Sequence, residues 1–290
     1  MTKRNLHLLI IDPQNDFCDL PTNYLPTDPL TNDLIFPALP IPGSHADMLR
    51  IADLIASGFK GISGITVTID SHHIIDISHP IFWIDENEQA ISPFTQITAA
   101  DVRSGKYLPR DINALPRTLS YLDALEAEER YKLTIWPIHC EIGTWGQNVH
   151  ANVRKAYNLW EDHTISVVNH VFKGINPWTE HYSAIQAEIP DDEDESTRLC
   201  IKLIDLFAKA DRVYITGEAA SHCVKATTEH IVANLDPKSL QKLVLVTDCM
   251  SAVTGFETQY KNFIQEMKAQ GVQVAKSEDV LPELISNSKK

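Results

Sequence analysis

Three apolar runs lead into side chains that together suit nucleophilic acyl chemistry. LHLLII (6–11) is followed by Asp12 in IIDPQNDF, and SVVNHVF (166–172) by Lys173 in VFKGINP. RVYIT (212–216) leads through GEAASH to Cys223. A thiol attacks only as thiolate, and its free pKa, about 8.5, falls beside a cation or at a helix N-terminus. Asp12 is suited to take the thiol proton and later pass it to a leaving amine. Lys173 would hold Asp12 ionised and stabilise the thiolate. Val224, Thr227, Thr228, Ile231, Val232 and Leu235 recur at helical spacing, which makes Ser221 the expected N-cap and puts Cys223 in the first turn. Backbone N–H groups lack partners there, the dipole favours negative charge, and the same groups suit a tetrahedral oxyanion. Taken singly, each residue has a plainer reading: a buried small hydrophobe, a cap, a solvated cation. Their shared position, each just beyond an apolar run, sets them apart.

A second set has the chemistry of a metal site. TIDSHH places Asp70 and His72 two apart after ITVTI, so both converge on one point if the chain stays extended. WPIHC adds His139 after another apolar run, and SHP adds His79. A carboxylate with imidazoles suits Zn²⁺, Fe²⁺ or Mn²⁺, with water at open positions. D-x-H is a weak pattern, and hydrogen-bonded caps are the alternative.

Positioning these groups falls to short apolar runs alternating with helical patterns. The strand candidates are 6–11, 62–69, 132–136, 166–172, 212–216, 242–247 and 272–276, and the helix candidates are 46–57, 116–130, 148–160, 196–209, 222–235 and 256–269. The runs lack clean polar/apolar alternation, as strands buried on both faces of a parallel sheet do. The order predicts a doubly wound α/β fold, in which ligands bind beyond the carboxyl ends of the strands. One domain over 1–290 is expected, with two departures from the rhythm. Segment 19–43 carries six prolines and reads as an ordered loop or lid. Segment 79–111 is too long for a plain connection and reads as an insertion with short elements of its own. The acidic run DDEDE (191–195) precedes STRLCIKLIDLF and is expected to complement that helix's dipole, with no chemistry of its own.

Composition narrows the partners. The 290 residues are 43% hydrophobic, enough for a large core, and carry 25 basic against 39 acidic side chains for a formal net charge of −14. That balance argues against nucleic acid and against an anionic membrane surface. Five cysteines without a CxxC fit neither a disulfide framework nor a zinc knuckle. The first apolar run is too short for a signal peptide, and no run approaches the roughly 18 residues of a membrane span. A soluble, reduced, cytoplasmic protein is expected. Its partner would be a small molecule, with a homo-oligomer left open.

On these motifs the sequence resembles the isochorismatase-like cysteine hydrolases, and within them the nicotinamidases most. IIDPQNDFC resembles the motif with the catalytic Asp, and VFKGINPWTEHYSA the motif with the catalytic Lys, continuing to a Tyr-Ser near the pocket. ITGEAASHCVKAT resembles the nucleophile motif G-x-A-x-x-x-C-V-x-x-T, and IDSHH and WPIHC resemble the metal motifs. The matches run in the family's order from residue 6 to 254. The resemblance implies a doubly wound, mostly parallel six-stranded sheet with helices on both faces. It implies Asp12, Lys173 and Cys223 as catalytic residues, a cis peptide from Glu218 to Ala219, and an oxyanion hole from the N–H groups of Ala219 and Cys223. It assigns one divalent metal, zinc first with iron or manganese as alternatives, to Asp70, His72 and His139. His79 is a further ligand or a hydrogen-bond partner of one. Phe17, Trp136 and Tyr182 would hold a flat heteroaromatic ring.

Where the sequence departs from the compact nicotinamidases, in the two added segments, in Asp76 near the metal motif and in a longer run from Lys173 to Tyr182, the substrate is what stays open. The expected reaction is hydrolysis of a small amide to acid and ammonia through a thioester, with nicotinamide as the leading substrate. A carbamoyl or ureido compound is the alternative, and a non-catalytic scaffold is a third reading. Vinyl-ether hydrolysis by an isochorismatase proper needs no cysteine. No G-x-G-x-x-G after a strand and no G-x-x-x-x-G-K-[ST] supports nucleotide binding.

Overall fold

The computed structural model describes residues 3–289. Six parallel strands form the main sheet: β1 Leu6–Ile11, β2 Gly64–Asp70, β3 Asn169–Lys173, β4 Arg212–Gly217, β5 Leu243–Val246 and β6 Gln273–Ala275. Their spatial order is β6-β5-β4-β1-β2-β3. The chain therefore builds outward from β1 in one direction and from β4 in the other, and the strand order reverses between those two. Such a switch point opens a crevice beyond the carboxyl ends of the strands.

Alternation along β1 explains the layering. Leu9 and Ile11 point into one core with Phe207, Val224 and Phe263, while Leu6, Leu8 and Ile10 point into the other with Ile51, Trp160 and Leu284. Helices α4 Ile201–Lys209, α5 Cys223–Asn234 and α6 Glu257–Ala269 cover the first face. Helices α1 Ser44–Gly58, α3 Ala151–Thr164 and α7 Ser277–Asn287 cover the second. Helix α2 Leu115–Ala127 packs with the 79–111 insertion, which includes the short helix Ala99–Arg103, around Trp83, Leu122 and Ile135 as a third, smaller core. No helix among the described residues is long and apolar enough to cross a membrane.

Close approach at the switch point depends on one glycine. Gly217 takes φ +110°, and a Cβ there would stand 1.9 Å from the Ile11 carbonyl oxygen. Only glycine lets the ends of β1 and β4 lie this near, which sets Asp12 beside the loop that carries Cys223.

Four expectations are corrected. KLTIW supplies only Leu133–Thr134 as strand, paired antiparallel with Gln96–Ile97 outside the main sheet. Leu133 and Ile135 serve the inserted core instead, while Trp136 joins the core of the first sheet face. Ser221 is not the N-cap of α5: His222 holds that position without a side-chain cap, and the Ser221 hydroxyl accepts from Val253 N at 3.2 Å. The acidic run does not sit on the dipole of the following helix, which starts only at Ile201. Its Asp191 pairs with Arg117 at 2.6 Å, and Asp194 caps the short turn Glu195–Thr197. Strand β3 is the sheet edge, with Asn169, His170 and Phe172 exposed, so its apolar run does not mark burial on both faces. Helix α7 was not expected, because Pro282 lies inside it.

Candidate active site

Strand ends bring the first set together. Asp12 follows β1, Lys173 ends β3, and Cys223 is the first residue of α5. All three are buried. Lys173 Nζ lies 2.9 Å from Asp12 Oδ2 and 3.7 Å from Cys223 Sγ. Thr68, one turn of the pleat before Asp70, fixes Asp12 from the other side. Its hydroxyl donates to Asp12 Oδ1 at 2.5 Å and accepts from Asp12 N at 3.0 Å.

The protonation of this cluster follows from its burial. Burial disfavours the Lys173 ammonium, but the Asp12 and Asp70 carboxylates outweigh it and hold its pKa well above the ordinary value. Burial pushes the Asp12 carboxyl up against the pull of Lys173. Burial also pushes the Cys223 thiol well above its ordinary range, and the nearby lysine does not reverse it. Lys173 pulls the thiol down, as a neighbouring cation should, but by less than burial pushes it up.

Beside the thiol, the Glu218–Ala219 peptide is cis. Neighbouring N–H groups are engaged: Ala220 donates to Ser251 O at 2.8 Å, and His222 and Val224 both donate to Ala219 O. The N–H groups of Ala219 and Cys223 make no hydrogen bond to protein among the described residues.

Asp70 joins this cluster to the second. Its Oδ1 accepts from Lys173 Nζ at 2.8 Å. Its Oδ2 lies 3.1 Å from His72 Nε2 and 3.5 Å from His139 Nε2. One ligand atom from each of these three residues falls within 4.8 Å of the other two. Each imidazole is oriented through its far nitrogen: His72 Nδ1 lies 3.0 Å from Asp76 Oδ2, and His139 Nδ1 lies 2.8 Å from Pro137 O. A proton on each Nδ1 satisfies those acceptors and leaves both Nε2 lone pairs facing Asp70, the arrangement metal-ligating histidines use. The donors therefore fit a divalent transition metal. His79 stands outside this group. Its ring packs 5.1 Å from His72 and 5.4 Å from His139, its Nδ1 meets Ile74 O at 3.3 Å, and its buried Nε2 has no partner.

A narrow cleft connects the two sets and is lined by Phe17, Trp136, Tyr182, Asp70, His139 and Cys223 among others. Phe17 lies 5.5 Å from the His139 ring, and Trp136 Nε1 donates to the Tyr182 hydroxyl at 3.1 Å. The expected aromatic residues thus share one cavity. Leu39 and Ile41, from the proline-rich segment, close its other side.

Sequence reasoning missed Glu180, which also lines the cleft. Its Oε1 accepts from His181 N at 3.1 Å, while its buried Oε2 has no partner. Burial pushes this carboxyl up to about 8. It sits in an irregular stretch, and only its distance of seven residues from Lys173 could have drawn notice.

No protein-family model matches the chain, and no curated protein matches it by sequence. Solved structures do. The yeast nicotinamidase Pnc1p bound to the inhibitor nicotinaldehyde aligns with TM-score 0.61 and 20% identity, covering 93% of this chain and 99% of that one. An Acinetobacter baumanii nicotinamidase/pyrazinamidase aligns with TM-score 0.60 and 18% identity, covering 96% and 98%. A Pyrococcus horikoshii pyrazinamidase in complex with zinc aligns with TM-score 0.51 and 17% identity, covering 94% and 99%. At these identities the likeness establishes architecture, and the chain has the fold of these nicotinamidases and pyrazinamidases.

Proposed function

We propose that the protein is a metal-assisted cysteine amidase that converts nicotinamide to nicotinate and ammonia. The observation that carries this reading is the Lys173 ammonium held between Asp12 and Asp70 and facing Cys223 Sγ. The nicotinamidase fold and the nicotinaldehyde bound by the yeast protein support the substrate class.

Asp12 takes the Cys223 proton as the thiol attacks the amide carbonyl, while Lys173 offsets the negative charge that appears on sulfur. The N–H groups of Ala219 and Cys223 hold the oxyanion of the tetrahedral intermediate. Asp12 returns the proton to the amine, the C–N bond breaks and ammonia leaves a thioester on Cys223. Asp12 then deprotonates water, which attacks the thioester, and the thiol regains its proton as nicotinate departs. Asp70, His72 and His139 would hold the metal, zinc first with iron or manganese as alternatives. When bound, that ion supplies a Lewis-acid point beside the ring site for a ring nitrogen or water. Phe17, Trp136 and Tyr182 orient the ring and exclude bulk water.

Ammonia release from a panel of small amides tests the assignment. Turnover of nicotinamide supports it, while an inert nicotinamide beside a rapidly hydrolysed carbamoyl or ureido compound replaces it with that alternative.

A further inference from the structure

Behind the loop that carries Ala219 lies a buried pair of carboxyl groups that the mechanism does not use. Glu218 and Asp47 are 0% and 2% exposed. They meet at Ser251, whose N–H donates to Glu218 Oε2 at 3.0 Å and whose hydroxyl donates to Asp47 Oδ2 at 2.5 Å. The Ser251 carbonyl in turn accepts from Ala220 N at 2.8 Å. Residues 218 and 220 are thus both fastened to Ser251, and the residue between them is Ala219, whose N–H is left free.

The remaining charges leave Glu218 with no cation of its own. Helix α1 brings Asp47 and Arg50, the segment after β1 brings Cys18 and Asp19, the turn after β5 brings Asp248, and α6 brings Tyr260. The cation in this set, Arg50, donates to Asp47 Oδ1 at 2.6 Å and also to the Asp248 carbonyl. Burial pushes both the Cys18 thiol and the Tyr260 hydroxyl up, the latter to about 12, so neither is charged near neutral pH. Two adjacent buried carboxyls cannot both ionise. Asp47, with Arg50 and Ser251 as donors, is the better placed of the two to carry the charge. Glu218 Oε1 is buried with no partner among the described residues, so no donor stabilises a charge on it.

We propose that Glu218 is a positioning residue that acts as a neutral acid, clamping Ser251 so that the Ala219 N–H faces the oxyanion site. This rests on the amidase reading above for its effect on turnover, but not for its protonation. Burial first, then the Asp47 charge, holds the Glu218 carboxyl well above its ordinary value. A group raised in this way keeps its proton below the folded value and loses it as pH rises through that value. Ionisation would then set a second buried charge against Asp47, while the Ser251 N–H keeps its acceptor.

Glu218→Gln keeps the acceptor for Ser251 N and stays uncharged at nearly the same volume, whereas Glu218→Leu keeps volume alone. At about pH 7, Glu218→Gln should retain kcat within roughly threefold, while Glu218→Leu should lose roughly 10- to 100-fold in kcat with little change in KM, less than outright loss of an oxyanion donor. The protonation is read without substrate, as a carboxylic-acid carbonyl band in the infrared spectrum of the wild type near neutral pH that Glu218→Gln lacks. Equal bands in the two proteins, or a Glu218→Gln variant as impaired as Glu218→Leu, overturns the inference. A wild type that hydrolyses no amide would sink the proposed function instead, and the infrared comparison would still decide this one.

Discussion

Asp70 and Lys173 are register partners on neighbouring parallel strands, and their side chains meet at 2.8 Å. One carboxylate thus serves two neighbours: Oδ1 faces the lysine beside the thiol, and Oδ2 faces His72 and His139. The thiol cluster and the metal-ligand cluster are for this reason one electrostatic unit.

That sharing makes Asp70 different from the other ligands. The Asp70 charge contributes to the high thiol pKa of Cys223. In metal-stripped protein, Asp70→Asn should therefore speed iodoacetamide alkylation of Cys223 severalfold, while His72→Ala leaves that rate near the wild type. Equal rates for the two variants would mean that the clusters act separately.

Metal content follows from the donor set. Protein purified without added metal should carry one divalent ion per chain by elemental analysis. Chelation should lower amide turnover, and re-addition should restore it. Asp76→Asn, which loosens the hold on His72 Nδ1, should cost about 10–100-fold in metal affinity or activity. Activity indifferent to a strong chelator would return Asp70, His72 and His139 to a capping role.

These groups differ in how far the sequence discloses them. Asp12 and Lys173 could be picked out because each directly follows an apolar run, and Cys223 because a strand pattern changes to a helix pattern around it. The Asp70–Lys173 contact could not, since pairing register between strands about a hundred residues apart leaves no local trace. Glu180 lies where neither periodicity applies. KLTIW reads as a sheet strand because an apolar run looks the same whether it fills a sheet or a small inserted core. Helix α7 was hidden by Pro282, which breaks the local pattern while packing by Val280 and Leu284 retains the helix.

Under the proposed function, ring recognition rests on Phe17 and Trp136, which both line the cleft. Stacking adds roughly 0.5–1.5 kcal/mol beyond burial, so Phe17→Ala should raise KM for nicotinamide by up to about tenfold with a smaller effect on kcat. Nicotinamide should also exceed benzamide in kcat/KM, because benzamide keeps the ring and amide but lacks the nitrogen. Equal values for the two amides would make the aromatic pair packing alone.

Stability should depend on pH through Glu188, which is buried and bonded to Arg130 at 3.0 Å. Burial pushes its carboxyl up to about 7 from 4.5, against the pull of Arg130. The folded state then binds more protons than the unfolded state between those values, so stability falls as pH rises through that window. The full effect is on the order of 3 kcal/mol. Glu188→Gln should gain Tm relative to the wild type at about pH 8.5 and show little gain at about pH 5. A difference in Tm that does not grow with pH would contradict the shift.

Ammonia release by Cys223→Ala tests the central claim most directly, with Cys200→Ala as the control for general damage. Cys200 is the partly exposed thiol, away from the cleft. Cys223→Ala should fold as the wild type does and release no ammonia from nicotinamide above background, while Cys200→Ala keeps most of the activity. Near-normal turnover by correctly folded Cys223→Ala would contradict the nucleophile assignment.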